Sequence, residues 1–336
     1  MEASTAAKNA LECVLEAKKG ESIIIFCDNE KTSICEPFVT GALKMGLRTR
    51  LVRLRTDPHV FRNKIPQEII GIFNQQRTEI YLNLVRGIRE ETPFRIELTE
   101  METKTRKSRL AHCPGITLDM LTEGALALTC EDHKRMQGFA ENLIRDLNET
   151  VKIEITNPSG TQISMNVKGR PFFTDTIIDW KTLNWMNLPT GEVIVAPVED
   201  SMEGTLICDM AVGGIGPVTT PVEIAVKNGK VQNVLSKDAQ VSKRVKESLA
   251  TDERANIVGE FAFGINPKAR FVEEFLEAEK ILGTTHIAFG NNADMPGGKN
   301  PSKNHMDLLI SKPTVKIYKS DNSSFDVLEG GSFQRL

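Results

Sequence analysis

The chain has 336 residues, of which 40% are hydrophobic and 26% charged, and its net charge at pH 7 is −3. That length supports one large or two medium domains with a core each, and the near-neutral balance excludes a broadly basic nucleic-acid binder. No apolar run approaches the roughly 20 residues that cross a bilayer, so no membrane partner is expected. The opening stretch M-E-A-S-T-A-A-K lacks an apolar signal core, which makes the cytoplasm the expected location.

Six cysteines (Cys13, Cys27, Cys35, Cys113, Cys130, Cys208) are scattered without C-x-x-C spacing. That pattern argues against a disulfide framework or a structural zinc knuckle and predicts reduced, buried thiols. Two tryptophans and two tyrosines (Tyr81, Tyr318) offer little aromatic stacking, so no nucleic-acid partner is expected.

In chain order, the first 20 residues read as an amphipathic helix, and E-S-I-I-I-F at 21–26 follows as a strand buried on both faces. A helix is expected over about 34–46, a strand over 49–54, and a further helix and strand ending at 79–85. Strands alternating with helices at this spacing predict a parallel sheet covered on both sides. Cys27-Asp28-Asn29-Glu30 follows the first strand in place of G-x-G-x-x-G, so a dinucleotide site is not supported. G-G-I-G at 213–216 lacks the strand-to-helix context and reads as a turn. Residues 95–148 read as helical, with 131–135 on a solvated face. At Asn148 the character changes: 151–155 and 161–167 alternate strictly around the turn Asn157-Pro158-Ser159-Gly160, which predicts a hairpin. The expected class is therefore α/β, with an N-terminal α/β domain carrying a largely parallel sheet over 1–149 and a β-rich α+β domain over 150–336.

The chemistry concentrates near the C-terminus. Thr285-His286-Ile287-Ala288-Phe289 has strand-like alternation, and in His305-Met306-Asp307 the two polar side chains point the same way on a strand. Only five histidines occur (His59, His112, His133, His286, His305), and both in the C-terminal half fall here. Two imidazoles and a carboxylate converging from neighbouring strands form a metal-ligand set, and charge feeding the apolar run L-L-I needs a partner or a metal. Upstream, Glu192 stands after a Pro/Gly turn at the first position of an apolar strand, where a carboxylate can aim into a cleft. Glu260 repeats the device after Gly259, inside V-G-E-F-A-F-G. The acids of 199–203 read as a solvated loop, 227–230 as a hairpin turn, and 236–253 as a charged surface helix. The loop 291–303 reads as a lid in which Lys299 or Lys303 could meet a substrate carboxylate.

Taken together, N-L-P-T-G-E-V-I-V-A-P, E-D-S-M-E-G-T, G-E-F-A-F-G-I-N-P, E-K-I-L-G-T-T-H-I-A-F-G and N-H-M-D resemble, in order, the C-terminal half of the aminopeptidase T / aminopeptidase S family of metallopeptidases. The resemblance covers about 150–312. It implies a dinuclear site of two divalent ions (zinc, cobalt or manganese) held by Glu192, Glu260, His286, His305 and Asp307, with Glu192 and Glu260 as catalytic carboxylates and Glu279 nearby. It also implies a short peptide or small-molecule substrate and a homodimer or higher oligomer. Two ions would bring +4 against −3 from Glu192, Glu260 and Asp307, a balance that a bridging hydroxide completes. Glu192, Glu203 and Glu260 are all candidates for the general base. The family carries a tyrosine seven residues after the histidine matching His286, where this chain has Ala293. A related branch, the 2,5-dihydroxypyridine dioxygenases, implies the alternative: one iron(II) on His286, His305 and Asp307.

Overall fold

The computed structural model describes residues 1–75, 78–104, 107–178 and 184–334. The chain packs as two compact units and passes between them more than once. The first comprises Met1–Gln137, Asp175–Thr190 and Lys268–Arg270; the second comprises Gly138–Thr174, Gly191–Pro267 and Phe271–Leu336.

The first unit is built on a five-stranded parallel sheet in the order Arg48–Leu54, Ser22–Asp28, Ile80–Leu84, Arg109–His112, Trp185–Asn187. Alternate residues of Ser22–Asp28 feed two cores. Ile23, Ile25 and Cys27 pack with the helices Ala3–Cys13 and Thr32–Lys44, whereas Ile24 and Phe26 pack with Gln67–Gln75 and Thr92–Thr103. This burial on both faces is why the strand reads as an unbroken apolar run. The N-terminal helix is shorter than expected, ending at Cys13.

The continuous helical character expected over 95–148 does not hold. Thr92–Thr103 is a helix, but Arg109–His112 is a fully buried strand, followed by the helices Leu118–Thr122 and Cys130–Asp146. Arg109 misleads because its charge suggests a surface helix. Its guanidinium instead donates to the carbonyls of Leu15 (2.9 Å) and Glu16 (2.8 Å) and pairs with Glu21 at 2.6 Å, so the charge is carried inside. His133 likewise leaves the solvated face assigned to it: it is fully buried, and burial depresses its pKa to about 4.

The second unit holds two antiparallel sheets. The eight-stranded one contains the expected hairpin, Thr150–Thr156 with Gln162–Asn166, pairing Ile153 with Met165 and Ile155 with Ile163. The turns at 213–216 and 227–230 also form as expected, joining Ala211–Val212 to Gly216–Pro217 and Val222–Lys227 to Lys230–Leu235. The expected surface helix is Ala239–Leu249, capped by Asp238, which accepts from the amides of Gln240 and Val241. The seven-stranded sheet runs Gly216–Pro217, Ala211–Val212, His305–Ile310, Thr285–Gly290, Val258–Gly264, Glu192–Val195, Phe173–Thr174. One of its faces is apolar, built from Val193, Val195, Phe261, Phe263, Ile287, Phe289, Met306 and Leu308, all buried. The rings of Phe261 and Phe263 meet edge to face at 4.8 Å, and Phe263 packs on Phe333 of the eight-stranded sheet. The opposite face carries the polar residues.

No described helix is long and apolar enough to cross a membrane.

Candidate metal centre

Register brings the sequence-predicted residues together. Glu260 lies opposite Ala288, which lies opposite Asp307; His286 lies opposite Ala262; Glu192 lies opposite Gly264; and His305 lies opposite Gly290. Residues directly opposite in a sheet share a face, as do residues two apart. Glu192, Glu260, His286, His305 and Asp307 therefore all project from the face opposite the phenylalanine core. Their cross-strand neighbours Ala262, Gly264, Ala288 and Gly290 are small, which leaves room for the functional groups.

The glycine before each glutamate has its own cause. A Cβ on Gly191, whose φ is +136°, would stand 2.5 Å from Asn266 Cβ. A Cβ on Gly259 would stand 2.7 Å from the carbonyl oxygen of Gly290, at the point where the strand register shifts between Val258 and Glu260. Both glycines let a neighbouring backbone approach closely, and the approach seats the acid that follows.

His286 Nε2 lies 3.3 Å from Glu192 Oε1, 3.3 Å from Glu260 Oε1 and 3.9 Å from Asp307 Oδ1. His305 Nε2 lies 3.2 Å from Glu260 Oε2 and 3.3 Å from Asp307 Oδ1. The His305 ring turns Nδ1 to the carbonyl of Asn291 at 2.9 Å, which fixes Nδ1 as the protonated nitrogen and leaves Nε2 facing the carboxylates. Side-chain exposure rises from 1% at His286 through 15% at Asp307 to 34% at His305, so the site opens at its His305 edge.

The donors fall into two clusters that share His286: Glu260, His286 and Asp307, and Glu192, Glu279 and His286, with each cluster's ligand atoms within 4.8 Å of one another. Glu279 follows the short helix Phe275–Ala278, and its neighbour Lys280 is fully buried. Lys280 Nζ donates to Glu192 Oε2 and sits 2.9 Å from Glu279 Oε1. The segment is pinned by Asn266, whose amide donates to the Lys280 carbonyl (2.9 Å) and whose carbonyl accepts from Leu282 (3.2 Å). Sequence reasoning missed Lys280. Its signal was a charged pair, Glu279-Lys280, wedged between Ala278 and the apolar Ile281-Leu282.

The electrostatics follow from four carboxylates on a buried face. Burial opposes the charge of Glu260, yet His286 and His305 hold its pKa well below the usual carboxylate range. Burial also opposes protonation of His286 and His305, and Glu260 and Asp307 overcome it, raising both imidazoles above their ordinary value. Burial pushes Glu279 up to about 8 against the pull of Lys280, and the negative charges of Glu192 and Asp307 add to the rise. A cluster with this surplus of negative charge, with imidazole nitrogens already aimed into it, fits a divalent cation.

Other expected participants stand elsewhere. Glu203 is exposed in the eight-stranded sheet, accepting from the amide of Asn228 at 2.7 Å. Glu199, expected to be solvated, pairs with Arg170 at 2.5 Å and accepts from the amide of Lys299 at 2.8 Å and from Asn292 at 3.2 Å. It thus fastens the loop 291–303, together with the buried Asn292 and Asn300, the latter reaching the carbonyls of Gly290 (2.7 Å) and Arg254 (3.0 Å). Lys299, Lys303 and Ala293 are exposed on that loop. Tyr318 donates to Glu154 in the eight-stranded sheet, and Tyr81 packs with Phe26 and Phe73 in the first unit.

Comparison with known proteins bears on the fold and the family. A search of curated proteins finds no match. Among solved structures, wild-type AmpT from Thermus thermophilus superposes with a TM-score of 0.76 at 18% identity, covering 98% of each chain. The 2,5-dihydroxypyridine dioxygenase from Pseudomonas putida KT2440 superposes with a TM-score of 0.72 at 15% identity, covering 100% of this chain and 97% of the other. At these identities the likeness establishes the shared fold. The model of the thermophilic metalloprotease (M29) family matches residues 130–333, which include every residue of the centre, and the chain belongs to that family.

Proposed function

We propose that the chain is a divalent-metal-dependent hydrolase of aminopeptidase type, removing N-terminal residues from short peptides. What carries the reading is the donor set Glu260, His286, His305 and Asp307, on one face of one sheet with 3.2 to 3.9 Å between imidazole and carboxylate atoms, in a member of a metalloprotease family. Zinc, cobalt and manganese suit such mixed imidazole–carboxylate donors. An ion held there would supply Lewis acidity to a scissile carbonyl and to a water.

The residues of the chain do the remaining work. The Asn291 carbonyl fixes the His305 tautomer, and Glu260 spans both imidazoles with its two oxygens. We assign proton acceptance to Glu192, which stands outside that four-residue donor set and turns Oε1 towards His286 while Lys280 holds Oε2. Substrate enters from the exposed His305 edge, and the buried end beyond His286 keeps bulk water away from Glu192.

A second reading has one specific observation behind it. His286, His305 and Asp307 are two imidazoles and a carboxylate on adjacent strands, the set used by mononuclear iron(II) oxygenases, in which case Glu192 and Glu260 orient ligands or substrate. The deciding experiment assays stripped protein, reconstituted with zinc, cobalt or manganese, on aminoacyl anilides and short peptides. Metal-dependent release of the N-terminal residue is expected. No hydrolysis, together with oxygen uptake on dihydroxylated N-heterocycles after iron(II) reconstitution, would overturn the hydrolase in favour of the dioxygenase.

A further inference from the structure

The two donor clusters are not equivalent. In the cluster of Glu260, His286 and Asp307, completed by His305, the carboxylates pair, among the described residues, with imidazole nitrogens, groups that serve equally as metal ligands. In the cluster of Glu192, Glu279 and His286, both carboxylates already face a cation, the ammonium of Lys280. Lys280 is 1% exposed, and its backbone is tied on both sides, its amide to the Glu277 carbonyl (3.1 Å) and its carbonyl to the Asn266 amide (2.9 Å), so the ammonium is held in the interior beside the two carboxylates. An ion bound by Glu192 and Glu279 would share those oxygens with a like charge in a buried space.

We propose that Lys280 Nζ is the second cation of this centre. It takes the position that a second metal ion would hold between Glu192 and Glu279, so the chain binds one divalent ion, at Glu260, His286, His305 and Asp307. The inference rests on these four being the ligands, as proposed above, and it assigns Lys280 a positioning role: it orients Glu192 and supplies fixed positive charge beside the ion. A lysine can do this where an aquated ion would exchange, because its charge is covalently tethered and needs no site of full coordination. The sequence motif Glu279-Lys280, which the ligand set leaves unused, thereby acquires a function.

The test counts metal rather than turnover. Wild-type protein purified without affinity metal is stripped with chelator, dialysed to equilibrium against manganese(II) or zinc(II), and its metal per chain is measured by mass spectrometry. Wild type and Lys280→Arg are expected to hold one ion, and Lys280→Met, which keeps the length but loses the charge, is expected to hold two. Two ions in wild type would overturn the proposal while leaving the ligand reading intact, and one ion in a folded Lys280→Met would overturn it equally. No ion in wild type would overturn the ligand reading itself and the inference with it. Should Lys280→Met fail to fold, anomalous diffraction from manganese-soaked wild-type crystals decides: a lone peak beside His305 Nε2 is expected, and a second peak between Glu192 and Glu279 would refute the assignment.

Discussion

In the first unit the buried carboxylates of Asp28 and Glu91 face the guanidiniums of Arg62 and Arg86; in the second, Glu192, Glu260, Glu279 and Asp307 face, among the described residues, the ammonium of Lys280 and two imidazoles. The first group is balanced. Arg62 grips Asp28 with two parallel bonds of 2.6 and 2.9 Å and also reaches Glu91, while Arg86 meets Glu91 at 2.5 Å and the carbonyls of Asp57 (2.9 Å) and Val60 (2.8 Å). The second group has more negative charge than fixed positive charge, and its imidazoles are drawn towards protonation in consequence. Buried charge that closes on itself holds a fold together; buried charge left in surplus is a place for a ligand.

Four changes would break or sharpen that contrast. The largest effect is expected from His305→Ala, which removes the proposed ligand at the open edge. Outer-shell partners typically change metal affinity 10–100-fold, so loss of a ligand is expected to weaken binding by more than about 100-fold. The melting temperature of the metal-free protein should stay within a degree or two, and calorimetric titration reads both quantities. Arg62→Met acts on the balanced group and should show the reverse pattern. It strands Asp28 in the interior, takes from Glu91 one of its two guanidiniums, and is expected to destabilise the protein by about 3–5 kcal/mol in urea denaturation while metal content is unchanged.

The third change is in pH. Burial would raise the pKa of Glu91, but Arg62 and Arg86 outweigh it and hold the pKa at about 2, below the ordinary 4.5. A depressed carboxylate contributes stability that is fully present above the unfolded value and is lost as pH falls through the folded one, so its contribution, on the order of 3 kcal/mol, disappears between about pH 4.5 and 2. Glu91→Gln should flatten stability over that interval in a pH series of melts; an unchanged slope would contradict the balanced-network account. The smallest effect is expected from Gly259→Ala. The added methyl meets the Gly290 carbonyl and must push the strand, at roughly 1–3 kcal/mol by analogy with overpacked cores, with a modest loss of metal affinity because Glu260 shifts with it.

Much of the fold was legible in the residues. The unbroken run at 22–28 and the strict alternation around Asn157-Pro158 reported their own burial patterns, and the five candidate ligands share a face because alternation in each strand was readable. What escaped was charge used internally. Arg109 hid a strand, His133 hid a buried helix face, Glu199 hid the fastening of the loop 291–303, and Lys280 hid a buried ammonium between Glu192 and Glu279. In each case the residue type suggests water, and only the tertiary partner, distant in sequence, makes burial tolerable.

The central claim is that the surplus of carboxylate on the His286 face exists to hold a cation. It is tested most directly by equilibrium dialysis of stripped wild type and His305→Ala against manganese(II) or zinc(II), with bound metal measured per chain. The account predicts stoichiometric binding to wild type and little to the variant. Absence of binding to wild type, or equal binding to both, would contradict it.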